Sequence, residues 1–383
     1  MLIQNKKVAI VGGGPAGLTL ARLLQIQTAN VNVYERDVNR EVRVQGSTLD
    51  LHEGTGLEAM KRAGLLDEFY KYHRPVASKM LLVNKDLNIK FDDHNFAQIT
   101  SELRPEIDRA PLRNILLDSL KSNTVVWDSH FISMERRQNG WLLHFENGTN
   151  AYADLVIAAD GANSKVRPYL SNIKPIYSGI TLIEGNIYGA EKNAPKLFSF
   201  AKGGKVMAFD NEQFIGYGTK GDGSIMFVAC FKCPENWLKE SNIDFKNKEH
   251  VLTFFKKEFT AWSDDWQEFF TCYNVHFTPR PQYYFPLDQS WEAQESITMI
   301  GDAAHRMPPF AGEGANVAMQ DSFELAEILT GNKFPDLKTA IAHFEKDMVK
   351  RGAAATKDTL ENTGRMFSEN ALEQMIGFFN QVQ

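Results

Sequence analysis

Apolar and polar positions along this chain follow two rhythms. Lys7-Val-Ala-Ile-Val11 is a short apolar run of the kind that forms a strand buried on both faces. Leu18-Thr-Leu-Ala-Arg-Leu-Leu24 then carries apolar residues at helical spacing, and Val31-Asn-Val-Tyr-Glu35 reads as a strand ending on a carboxylate. The patterning predicts further strands at 81–83, 124–128, 141–146, 154–159 and 297–300. Helices are expected near 56–64, over 109–120 and from 338 onward. Between 178 and 232 the alternation has period two, with Gly-rich turns at Gly203-Gly204 and Gly221-Asp-Gly223, which predicts a twisted antiparallel sheet. Helical text rich in Phe and Trp covers 248–270.

Composition narrows the classes. With 383 residues, 43% of them hydrophobic and 23% charged, the chain is an ordinary globular sequence of about two domains. A formal charge of −6 gives no footprint for nucleic acid, and no apolar run approaches the ~18 residues of a membrane span. The polar Met1–Lys7 start is not a signal peptide, and three cysteines suit a reducing compartment, so a cytoplasmic protein, taken as a monomer, is expected. Cys230 and Cys233 form a CxxC, but on a strand (224–231) and without a second pair, so neither a redox dithiol nor a metal site is expected.

Two segments carry chemistry. Gly12-Gly-Gly14-Pro-Ala-Gly17 sits between the first strand and helix, with Glu35 closing the next strand, a dinucleotide-binding βαβ pattern. Gly12 allows a tight turn, Gly14 lets backbone approach a pyrophosphate, and Gly17 lets helix and strand pack. An acid at 35 favours a ribose with a free 2′-OH at this site. The second segment is Gly301-Asp-Ala-Ala-His-Arg-Met-Pro-Pro-Phe-Ala-Gly-Glu-Gly-Ala-Asn316. Asp302 ends a strand, where it can accept from a hydroxyl. Gly312 and Gly314 open the approach to a helix N-terminus, a second contact for one long cofactor. His305 is read as structural.

Gly12-x-Gly14-x-x-Gly17, Asp160-Gly161 and Gly301-Asp302, in this order, resemble the three fingerprints of the group A flavoprotein monooxygenases, the FAD-dependent aromatic hydroxylases. Within that family, Val33-Tyr-Glu-Arg-Asp37, Gly46-Ser-Thr-Leu-Asp-Leu-His52, Pro105-Glu-Ile-Asp-Arg109, Ser164-Lys-Val-Arg167 and 299–312 are similar to the TetX-type tetracycline-inactivating monooxygenases. The resemblance implies an α/β fold with a Rossmann-like FAD-binding domain (1–74, 104–172, 280–330). It also implies an antiparallel-sheet substrate domain (75–103, 173–279) and a C-terminal bridging helix (331–383). Gly12, Gly14, Gly17, Glu35 and Arg36 would hold the ADP half of FAD. Asp302 would bind the ribityl or pyrophosphate region, and Gly312, Gly314, Ala315 and Asn316 would cradle the isoalloxazine. Arg109 and Asp50 match FAD contacts, Arg43 a contact to transiently bound NADPH, and Asp160 a motif used by both nucleotides.

The resemblance further implies hydride transfer from NADPH to FAD, addition of O₂ at the flavin C4a, and transfer of oxygen from the hydroperoxide to an electron-rich carbon. No protein side chain is expected to be the catalytic base. The substrate would be a polycyclic, phenolic or enol-bearing small molecule, with tetracycline-type antibiotics one candidate. A Gln, an Arg and a His that contact tetracycline in the TetX type align with Glu184, Lys205 and Met226. An aromatic contact is replaced by Gly216, while Phe310 and Gly312 are kept. The alternative is a geranylgeranyl-reductase-like flavoprotein that inserts no oxygen.

Overall fold

A computed structural model of the protein describes residues 1–42, 46–95, 104–273 and 275–382. The early apolar runs assemble a five-stranded parallel sheet in the order Ile297–Met299, Leu155–Ala158, Lys7–Val11, Asn30–Tyr34, Val125–Val126. Ile10, Val33, Ile157 and Met299 are fully buried in it, as both-face burial of a parallel sheet requires. The helix Pro15–Ile26 begins three residues before the expected apolar repeat, because Pro15 at its first position has the backbone angle a helix needs. The expected strand at 141–146 is Gly140–Phe145, but it belongs to a separate antiparallel sheet with Phe131–Arg137 and Asn150–Ala153.

The second large unit is a seven-stranded sheet: Val275–Tyr284, Ile176–Ile187, Ile225–Lys232, Gln213–Thr219, Lys205–Asp210, Met80–Asn84 and Ile89–Asp92. Alternation gives it two faces. Ile183, Val206, Ile215, Tyr217 and Phe227 point to an outer core, where the aromatic-rich segment packs. Phe227 stacks on Phe269 at 4.4 Å, and Phe255 on Phe270 at 4.1 Å. That segment is not one helix. Lys248–Glu258, capped by the Asn247 side chain, stops so that Trp262 and Trp266 can turn into the core.

The inner face carries Leu82, Leu182, Phe209, Phe214 and Cys230. Its Met80–Phe209 side is covered by the C-terminal segment, which is two helices, Leu337–Met366 and Ala371–Val382. The break lets Phe367 and Met375 bury against the sheet. Cys230 and Cys233 lie on or just beyond a strand as free thiols. Among the described residues no helix is long and apolar enough to cross a membrane.

Candidate functional site

The 12–17 turn is shaped by steric exclusion. Gly12 has φ +109°, and a side chain there would run into the Ala159 carbonyl; one on Gly17 would run into the Gly12 carbonyl. Gly14 differs: a β-carbon there would meet open space. The helix that follows has no side-chain cap and no acid in its first turn, so its free N–H groups face that space. Glu35 is 1% exposed and accepts from the backbone N–H of Gly13 (2.5 Å) and Asp37 (3.1 Å). Its carboxylate therefore holds the turn itself, and Arg36 beside it is exposed.

The second motif opens on Gly301 at φ +61° and the short helix Asp302–His305, with Asp302 exposed. Gly312 (φ +72°) leads into the helix Gly314–Thr330, whose N-terminus also lacks a side-chain cap. Asn316 is fully buried. Its Oδ1 accepts from His52 N–H at 2.9 Å, and its Nδ2 donates to the carbonyls of Asp50 (2.8 Å) and Gly312 (3.4 Å). The Asn316 side chain thus clamps the 50–52 segment to the 312–316 turn; Ala315 is half-buried beside it.

His52 was not singled out from the sequence. Its Nε2 lies 2.9 Å from Asp50 Oδ2 and its Nδ1 3.5 Å from Glu313. Burial disfavours the imidazolium, but bonds to Asp50 and Glu313 outweigh it and raise the pKa to about 9. Burial likewise opposes ionisation of Asp50, yet His52 and the charge of Lys205 hold its carboxyl below the usual range. His305 is buried and paired with Asp321 at 2.6 Å, and Asp321 also accepts from Gly301 N–H. Asp160 Oδ2 accepts from the N–H groups of Lys165 and Val166, bracing the turn after its strand, and burial pushes its carboxyl up.

A cavity of about 640 Å³ runs from the start of the Pro15–Ile26 helix and Asp302 to the seven-stranded sheet. Pro15, Arg109, Asn163 and Asp302 line one side; Glu184, Met226, Val228 and Arg280 line the other, from the inner face of the sheet. Arg109 donates from Nε to the Ser47 carbonyl at 3.0 Å. Glu184, Lys205, Gly216 and Met226 all share that inner face, yet only Glu184 and Met226 reach the cavity wall. Lys205 is ion-paired with Glu106, a 2%-exposed carboxylate paired across the strands with Asp50. Burial raises the Glu106 pKa against the pull of Lys205. The Phe214 ring occupies the space a side chain on Gly216 would take, so an aromatic covers this spot from two residues away. Phe310 meets Phe367 edge-on at 5.2 Å, outside the cavity wall. Arg43 lies outside the described residues.

Open space at Gly14, two uncapped helix N-termini and one cavity running from the turn to a sheet suit a long, phosphate-bearing cofactor placed beside a substrate.

The family profile described as FAD binding domain matches residues 5–209 and 289–332, more than half of the chain. Monooxygenase penA of Penicillium thymicola is 28% identical, over 96% of this chain and 97% of that protein. The crystal structure of tetracycline destructase Tet(55) superposes with a TM-score of 0.78 at 18% identity, covering 100% of this chain and 96% of that one. Klebsiella pneumoniae HpxO complexed with FAD and uric acid superposes at 0.74 and 17% identity, covering 98% of this chain and 92% of that one.

Proposed function

The chain belongs to the FAD binding domain family and is a flavoprotein monooxygenase, and from that premise we propose that it uses NAD(P)H and O₂ to hydroxylate a polycyclic, phenolic or enol-bearing small molecule. The observation that carries this reading is the cavity that connects an uncapped helix N-terminus to the inner face of an antiparallel sheet. Bound FAD would supply the redox chemistry, taking a hydride from NAD(P)H and activating O₂.

The chain supplies binding, position and dryness. Free N–H groups at the start of Pro15–Ile26 would hold the pyrophosphate, with Gly14 leaving room for it. Glu35 acts by fixing Gly13, and Asp302 would accept from ribityl hydroxyls. The Asn316–His52–Asp50 clamp fixes the 312–316 backbone, which would hold the flavin end of the cofactor. Leu182, Met226 and Val228 present an apolar wall that keeps water from the reacting carbon. Asp160 serves nucleotide binding through the turn that it braces.

The test is a turnover screen of NADPH oxidation against polycyclic phenols, with mass spectrometry of the products. A substrate-stimulated rate and a product one oxygen atom heavier support the reading; a product gaining only hydrogen would place the chain with the reductases. Tetracycline is expected to be a weak substrate, because Glu184 is tied to Arg280 and Lys205 to Glu106. Efficient tetracycline turnover that a Glu184→Gln, Lys205→Arg, Met226→His variant leaves unchanged would show that these positions do not set specificity.

A further inference from the structure

The short helix Asp302–His305 is anchored from behind the cavity wall. Gly301, Ala303, Ala304 and His305 are buried, while Asp302 is exposed and lines the cavity. Where the Asp302 carboxylate stands therefore depends on what holds its neighbours. Gly301 has φ +61° and ψ −145°, a shape that favours glycine but that glycine, the freest residue, does not hold by itself. Asp321, on the helix Gly314–Thr330, supplies the hold and is fully buried. Its Oδ2 accepts from the Gly301 N–H at 2.9 Å and pairs with His305 Nε2 at 2.6 Å, so one carboxylate ties both ends of the element. A buried carboxylate needs an answering charge beyond these bonds, and a third element brings it. Arg351, on the helix Leu337–Met366, donates from Nη2 to Asp321 Oδ1 at 2.9 Å and pairs through Nη1 with Glu324 at 2.6 Å. The next residue, Gly352, lets that helix come close: a β-carbon there would stand 2.6 Å from the His305 β-carbon. Neither Asp321 nor Arg351 is among the described residues that line the cavity.

Resting on the reading of Asp302 as a contact to FAD, we propose that Arg351 is a positioning residue for the cofactor. Through Asp321 it sets Gly301 and His305, and so the place of the Asp302 carboxylate, without touching the ligand. The long C-terminal helix is by this route part of the FAD site, and its docking and FAD binding strengthen each other.

The experiment is a double-mutant cycle on the full chain. FAD-loaded protein is diluted in series and the freed flavin read by fluorescence, for the unaltered chain, Arg351→Met, Asp302→Ala and the two together. Arg351→Met should weaken FAD binding about three- to tenfold, the coupling of residues within one hydrogen-bond network. Arg351→Lys should regain part of this, because an ammonium reaches Asp321 but lacks the second prong. In the Asp302→Ala chain the Arg351→Met change should cost less than about twofold, since the carboxylate it positions is gone. Glu324→Gln, which leaves the Arg351–Asp321 bond in place, should stay within about twofold of the unaltered chain. An equal loss from Arg351→Met with and without Asp302 would make Arg351 a prop of the fold alone and overturn the proposal. So would an FAD affinity that Arg351→Met or Asp302→Ala leaves unchanged. If Arg351→Met does not fold, Arg351→Lys takes its place in the same cycle and the same comparison decides. An unaltered chain that takes up no FAD would overturn the flavoprotein reading as well, and its missing flavin absorbance tells the two failures apart.

Discussion

At the 12–17 turn the geometry is made of backbone: Gly12 and Gly17 are required because a side chain would strike a carbonyl, and Gly14 opens onto free space. At the inner face of the seven-stranded sheet the geometry is made of side chains that choose one another, Lys205 with Glu106 and Arg280 with Glu184. A backbone site is written in consecutive residues. A side-chain site is settled by partners about a hundred positions away, so substituting it changes stability or specificity rather than abolishing a cofactor.

Gly14→Val should break the nucleotide end outright. The open space means the variant folds, but the branched side chain takes the pyrophosphate's place, so a protein without flavin absorbance that melts like the flavin-stripped parent is expected. Retained FAD would contradict this. At the sheet end, Lys205→Met strands the buried Glu106 carboxylate. Urea unfolding at pH 7 should show a loss of roughly 2–4 kcal/mol, below the full cost of breaking a wholly buried pair because part of Lys205 is exposed. A Glu106→Gln second substitution should recover part of it.

A third substitution lies behind the nucleotide sheet. Burial raises the Glu345 pKa to about 7, although Thr298 donates to it at 2.8 Å. The unfolded chain releases this proton near pH 4.5 while the folded protein keeps it, so the group's contribution to stability falls as pH rises from 4.5 to 7 and stays low above. Glu345→Gln should therefore stabilise the protein at pH 8 by about 2–3 kcal/mol, with the difference vanishing near pH 4. The smallest effect is expected for Asp302→Ala, which should weaken FAD binding by about 1.5–3 kcal/mol in isothermal titration. An unchanged affinity would remove Asp302 from the site.

The same contrast explains what was legible in the sequence. The parallel strands, the 12–17 turn and the 301–316 segment were readable because each rests on local periodicity or on glycine sterics. Phe131–Arg137 was missed because only Phe131 and Met134 of its seven residues are buried, too few to set a pattern. The long tail helix was expected unbroken, since nothing local announces that Phe367 must turn onto the sheet. At the site, the resemblance to the TetX type picked out Glu184, Lys205, Gly216 and Met226; the strand register puts them on one face, and which of them meets the cavity depended on Glu106 and Phe214. His52 and Arg280 had no local signal beyond lying in or beside notable segments; their partners revealed them.

The proposed activity is the insertion of one atom of O₂ into a ligand held in this cavity. A reaction under ¹⁸O₂ with NADPH and the best phenolic substrate of the turnover screen, analysed by mass spectrometry of the product, tests it. One ¹⁸O atom should enter the product for each NADPH consumed in coupled turnover, and none when the label is supplied as water. A flavin-loaded protein whose product carries no ¹⁸O from O₂, or carries only added hydrogen, would contradict it.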